Sequence, residues 1–203
     1  MRRAVTAVLT APPGDPYTCP QLPRDACMRT IWIIDGAYIF NYGKSRPIDY
    51  LKLKNELVRL NGAPIDQSFY LNAVQEPPSE AQTAFHNWLK SAPPRGPKFR
   101  VQLYALKEQN VSCPACGHAH VRSVQKGVDV GIATLLVKLA AQDAFDRVIL
   151  ATGDGDFEDA ISFIKDLHKQ VWLLGSASNL SPDLQSYADE VVWLEDLGEA
   201  IDK

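Results

Sequence analysis

From Arg29 onward the apolar residues fall into two alternating patterns, short runs of strand length and longer segments with helical spacing. Ile31-Trp32-Ile33-Ile34 is continuous and rich in β-branched residues, the pattern of a strand buried on both faces. Residues 47–60 predict a helix, with Pro47 suited to its first turn and Gly62 just past its end. A second strand is expected over residues 65–73. Ser79-Glu80-Ala81-Gln82 then has capping-box spacing ahead of Phe85, Trp88 and Leu89, which share one helical face until Pro93-Pro94. Residues 99–106 alternate as a strand does, whereas 108–125 follow neither period and read as irregular. Further on, 130–141 predict an apolar helix, 148–151 a fourth strand, 157–167 a helix, 171–174 a fifth strand and 182–188 a short helix. A sixth strand over 191–194 and a terminal turn or helix complete the series. Strands that alternate with helices need crossover connections, so the fold class is α/β: a three-layer α/β/α sandwich, Rossmann-like, around a mostly parallel sheet of five to six strands.

Residues 1–27 stand apart. They hold five of the fourteen prolines and two of the four cysteines, without apolar periodicity, and cannot bury enough surface to offset their ordering entropy. Arg2-Arg3 followed by the apolar residues 4–9 is too short for a secretory leader, is interrupted by Thr6 and runs into Pro12-Pro13. The expected organisation is a disordered extension over 1–27, upstream of a translation start at Met28, and one domain over 28–203 with a cysteine/histidine insertion at 108–125. The remaining cysteines form a close Cys113-Pro114-Ala115-Cys116 pair, which favours metal chemistry over a disulfide scaffold and a reducing cytoplasm over secretion. His118 and His120 follow at once, so Cys113, Cys116, His118 and His120 are candidate Zn²⁺ ligands; a solvated loop is the competing reading.

Ligands of a parallel α/β sheet bind outside the carboxyl ends of its strands. Asp35 ends the first strand, Asp154 and Asp156 follow the fourth, and Asp129 opens the helix between the third and fourth. With the first and fourth strands as neighbours at the topological switch point, four carboxylates converge on one crevice. Like charges that close raise one another's pKa, a conflict that a hard divalent cation such as Mg²⁺ or Mn²⁺ resolves. Each acid also has a structural reading: Asp35-Gly36 a strand-ending turn, Asp129 an N-cap, Asp156 the N-cap of the next helix.

Ile34-Asp35-Gly36, Lys126-Gly127-Val128-Asp129-Val130 and Thr152-Gly153-Asp154-Gly155-Asp156-Phe157 occur in this order after a strand, at a helix start and after a strand. Over residues 29–195 the chain resembles the NYN domain in its LabA-like branch, which belongs with the PIN-like nucleases. The resemblance implies a PIN-like sandwich and metal-dependent cleavage of RNA. Asp35, Asp129, Asp154 and Asp156 match the acidic metal-binding positions, and Thr152 matches the hydroxyl residue that precedes the fourth-strand acid. Many NYN domains carry an asparagine two residues after the Asp-Gly pair; here Ala37-Tyr38-Ile39-Phe40 intervene and Asn41 is the first asparagine.

A formal charge of −3 argues against a generally basic nucleic-acid binder, so RNA, expected single-stranded, would have to be held locally. Lys126, Arg122 and Lys44 near the crevice are candidate phosphate contacts, with Arg46 and Lys107 beside them. Tyr38 and Tyr42 are candidate base-stacking groups and Asn41 a substrate contact. His86, beside Trp88 on a helix, reads as structural. No membrane association is expected, and a homodimer is left open. Competing readings are a non-catalytic RNA-binding or protein-interaction module with a structural metal site, and a phosphatase of the haloacid dehalogenase type. The latter needs Asp-x-Asp after the first strand, where this chain has Asp35-Gly36-Ala37.

Overall fold

β1 (Thr30–Asp35) is buried along its whole length, and its side chains alternate between two cores. Ile31 and Ile33 face one layer of helices while Trp32 and Ile34 face the other, as the period-two geometry of a strand requires. This is a computed structural model; it describes residues 28–112, 114–124 and 127–203, with the backbone alone at 107–111 and 120–124. Residues 1–27, where the extension is expected, lie outside the described residues, as do Cys113, Gln125 and Lys126.

The remaining strands are β2 (Gln67–Val74), β3 (Arg100–Ala105), β4 (Lys107–Ser112), β5 (Ala119–Val124), β6 (Arg147–Ala151), β7 (Gln170–Gly175) and β8 (Glu190–Trp193). Six of them form one sheet in the order β3-β2-β1-β6-β7-β8, every pair parallel. The chain therefore builds outward from β1 to β3, returns, and builds outward again from β6 to β8. The reversal falls between β1 and β6, where the sequence pattern placed it.

Helices α1 (Gly36–Gly43), α2 (Tyr50–Asn61), α3 (Glu80–Lys90) and α7 (Leu194–Leu197) supply the core around Trp32, Ile34 and Tyr70. On the other face, α4 (Val128–Ala141), α5 (Glu158–Asp166) and α6 (Pro182–Tyr187) pack on Ile31, Ile33, Val148 and Leu150. The result is the expected three-layer sandwich, with all six strands parallel. Among the described residues no helix is long and apolar enough to cross a membrane.

Local chemistry explains most helix ends and corrects some expected ones. The Ser79/Gln82 capping box forms in both directions at the start of α3. Gly62 closes α2 with a left-handed φ of 70°, a conformation that favours glycine. Pro47, however, lies before α2; Asp49 caps that helix through the amides of Leu51 and Lys52. The region expected to be irregular at 108–125 is instead an antiparallel hairpin of β4 and β5, with Cys116 exposed in its turn. Its strands pair with each other and not with the main sheet. α1 was not expected either, and it starts directly on Asp35.

The carboxyl terminus is built in. Asp202 bridges to Ile48, the Asp49 amide donates to the Ile201 carbonyl, and the Lys203 amide donates to Pro47. Arg46 pairs with Asp202 at 2.6 Å, and Ile201 is fully buried in the core under α2.

Candidate functional site

The register sets the geometry of the crevice. Ile34 pairs with Ala151 across β1 and β6, so Asp35 and Thr152 leave the sheet side by side. Asp35 is only 8 % exposed and Thr152 is fully buried. Asp35 caps α1: its Oδ1 accepts from the Ala37 amide at 2.9 Å and from the Tyr38 amide at 3.4 Å, and its Oδ2 accepts no hydrogen bond from the described residues. On the neighbouring strand the Asp154 amide donates to Thr152 Oγ1 at 3.3 Å. The Asp154 Oδ1 accepts from the Asp156 amide at 3.0 Å, which closes the short 3-10 turn Gly155–Phe157.

Two acids thus have a structural task and two do not. Asp129 is not the cap of α4; that position belongs to Gly127, at φ 92° and with no side-chain hydrogen bond. Nor does Asp156 cap α5, whose N-cap is Phe157. Among the described residues neither the Asp129 nor the Asp156 carboxylate takes part in a hydrogen bond or ion pair. Helix capping therefore does not account for them.

Electrostatics ties the set together. Burial pushes the Asp35 carboxyl above its usual range; the Tyr38 and Ala37 amides oppose this, and the charges of Asp129 and Asp154 add to it. Asp129 is raised by desolvation and then by Asp154 and Asp156. The fold thus holds acids from three segments near enough to repel one another, at the uncapped start of α4, where helix amides carry partial positive charge.

A second polar network braces the same edge. Tyr38, half-buried, donates through its hydroxyl to Asn179 Oδ1 and accepts from the Ser176 amide, both at 2.9 Å. Ser176 Oγ donates to Glu195 at 2.6 Å, and the Ala177 amide donates to the same carboxylate at 3.3 Å. These bonds hold the Glu195 carboxyl below its usual range although burial alone would raise it. Glu195 is thereby occupied as a brace between β7 and α7, a role that sequence reasoning did not anticipate. Ser176, the first residue past a buried strand, was the available signal. Gly153 is required here, since a Cβ would run into the Asn179 carbonyl and the Tyr38 ring.

The other expected contacts are dispersed. Lys44 Nζ donates to Asn41 Oδ1 at 2.8 Å and lies 5.3 Å from the centre of the exposed Phe40 ring. Tyr42 is half-buried, and Arg46 is engaged by Asp202. His118 is exposed next to the hairpin turn with Cys116; the side chains of Arg122, His120 and Lys107 lie outside the described residues. Among the described residues no three of His, Cys, Asp or Glu stand together in ligating geometry, on the hairpin or in the crevice.

Among curated proteins the chain has no match. Among solved structures it resembles a protein of unknown function from Vibrio parahaemolyticus, at 20% identity and a TM-score of 0.64, over 90% of this chain and 100% of that one. That likeness bears on the fold. The family profile described as "NYN domain" matches residues 29–195, which include β1, α4 and β6 with every acid of the crevice. The chain belongs to the NYN domain family, within the PIN-like nuclease superfamily.

Proposed function

We propose that the chain is a metal-dependent ribonuclease that hydrolyses phosphodiester bonds of single-stranded RNA at the β1/β6 edge. The observation that carries this reading is the pair Asp129 and Asp156: two carboxylates free of capping bonds, set against Asp35 and Asp154, whose mutual repulsion a cation relieves. The donor set fits. All four side chains offer carboxylate oxygen, the ligand type of Mg²⁺ and Mn²⁺, which also retain several waters. An ion there would be held by Asp35, Asp129, Asp154 and Asp156, through waters where a carboxylate stands too far away to ligate directly. A divalent cation there would make a water nucleophilic at neutral pH and stabilise charge on the phosphate.

The chain supplies the rest. The amides of Ala37 and Tyr38 fix one oxygen of Asp35 and leave the other available, and the Asp156 amide does the same for Asp154. Thr152 orients the turn between them through the Asp154 amide. Lys44, exposed just past the end of α1, is proposed to meet phosphate. Lys126 and Arg122, next to α4 in sequence, are proposed for the same task, and Cys113, Cys116, His118 and His120 for a separate Zn²⁺.

The test is incubation of the full chain with single-stranded RNA, structured RNA and a phosphomonoester, with and without Mn²⁺, alongside Asp35→Asn and Asp154→Asn. RNA cleavage that needs the metal and is lost in both variants is the expected result. Release of phosphate from the monoester alone would make the chain a phosphatase. RNA binding without turnover would make it a non-catalytic module.

A further inference from the structure

Next to Asp35 lies a cavity of about 220 Å³ between α1, β2 and α3. It shares its wall with the acid: Ala37, whose amide binds Asp35 Oδ1 at 2.9 Å, lines it. The preceding residue, Gly36, is so close to Tyr70 that a Cβ would lie 2.6 Å from the phenol oxygen. The rings of Tyr70 and Phe85 form the sides, and Phe40, 61% exposed, stands at the mouth with Lys44 over its face.

The polar lining is unusual for a gap between helices. His86 is only 4% exposed and packs its ring 6.2 Å from Tyr70 and 5.7 Å from Phe85, yet among the described residues neither ring nitrogen makes a hydrogen bond. The His86 nitrogens are not sealed off from solvent, so they are available to a hydrogen-bonding partner that enters the cavity. Gln82 gives its Oε1 to the Ser79 amide in the capping box and keeps its Nε2 uncommitted. Asn72, by contrast, is spent on the Tyr70 hydroxyl and the Ala73 amide.

We infer that this cavity is a subsite for one unstacked nucleobase of the RNA strand, stacked on Phe40 at the mouth and read along its edge by His86 and Gln82. The inference rests on the ribonuclease reading, because a base enters here when its phosphate lies at the acids next door. The volume is below the roughly 300–1,000 Å³ of sites for drug-sized ligands and suits a single ring system. Aromatic walls with a few convergent hydrogen-bonding groups are how proteins hold splayed bases of single-stranded RNA. Burial and the charge of Lys90 lower the pKa of His86, so at neutral pH the ring presents one donor and one acceptor to a base edge.

The test uses the full chain carrying Asp154→Asn, in which asparagine can keep the bond to the Asp156 amide and turnover is blocked. Its affinity in Mg²⁺ is measured for single-stranded RNA decamers in which each position in turn lacks its base. One abasic position is expected to weaken binding about 5- to 150-fold, the range of one base–aromatic stack, with other positions little changed. In the same background, Phe40→Ala shrinks that penalty. His86→Phe, which keeps the ring, keeps the penalty and reduces discrimination among the four bases at that position. Equal losses at every position, or base discrimination unaltered in His86→Phe, would overturn the subsite and leave the ribonuclease reading standing. Failure to bind any decamer overturns both.

Discussion

Asp35→Asn separates the functional cost of the crevice from its structural role. Asparagine is as good a cap as aspartate, so the bonds from Ala37 and Tyr38 to Oδ1 survive and only the charge is lost. That charge is 8% exposed and faces Asp129 and Asp154. In EDTA its removal is expected to stabilise the domain by about 1–2 kcal/mol, the usual gain when a site-specific cost is relieved. For a domain of this size that raises Tm by about 2–8 °C. Mn²⁺ reverses the order: at a hundredfold excess over Kd the wild type gains about 2.7 kcal/mol, and the variant, lacking one anionic ligand, gains less. The pH dependence has a definite sign. The folded chain holds the Asp35 proton more tightly than the unfolded chain, so the wild type's deficit exists above the raised folded pKa and fades as pH falls through it. Thermal melts of both proteins in EDTA and in Mn²⁺, from neutral pH downward, read all three effects. A variant less stable than wild type in EDTA at neutral pH, or equal Mn²⁺ shifts in both, would refute the reasoning.

Gly153→Ala forces a Cβ against the Asn179 carbonyl and to within 2.5 Å of Tyr38 Cε2. It should cost about 1–3 kcal/mol in urea melts and, by moving Asp154, reduce RNA cleavage by more than the lost folded fraction; unchanged cleavage would dissociate this turn from the chemistry. Ile201→Ala removes a fully buried side chain and should cost about 2–4 kcal/mol. A cost near zero would mean that the terminus is not docked in solution. Metal analysis of the purified full chain is expected to find about one zinc per chain, lost in Cys113→Ser. Sub-stoichiometric zinc indifferent to that substitution rejects the hairpin ligand set.

The strand pattern was readable because β1, β6 and β7 are central, and burial on both faces leaves continuous apolar runs such as Ile31 to Ile34. The acids were readable for a related reason: in a parallel sheet the residue after a buried run stands at the ligand edge. α1 escaped notice because its eight residues, Gly36 to Gly43, have little intrinsic helicity and are held by the Asp35 cap and the buried Ile39 instead. β4 carries Lys107, Glu108, Gln109 and Asn110 and lies outside the main sheet, so no apolar alternation marks it. Which acids cap and which do not depends on where each helix begins, a matter of one or two residues that spacing does not resolve. The cavity beside Asp35 joins Phe40, Tyr70 and His86 from three elements, and only the β1/β2 register and the seating of α3 bring them together.

The docked carboxyl terminus bears on how this protein is handled. Lys203 donates its amide to Pro47 and also lines an apolar groove that runs past Phe40, Gln82 and Phe85, residues shared with the cavity beside Asp35. A purification tag fused after Lys203 would leave the protein along that groove, within reach of the cavity mouth. Affinities for RNA measured on such a fusion would include competition from the tag, whereas the start of β1 lies at the opposite edge of the sheet.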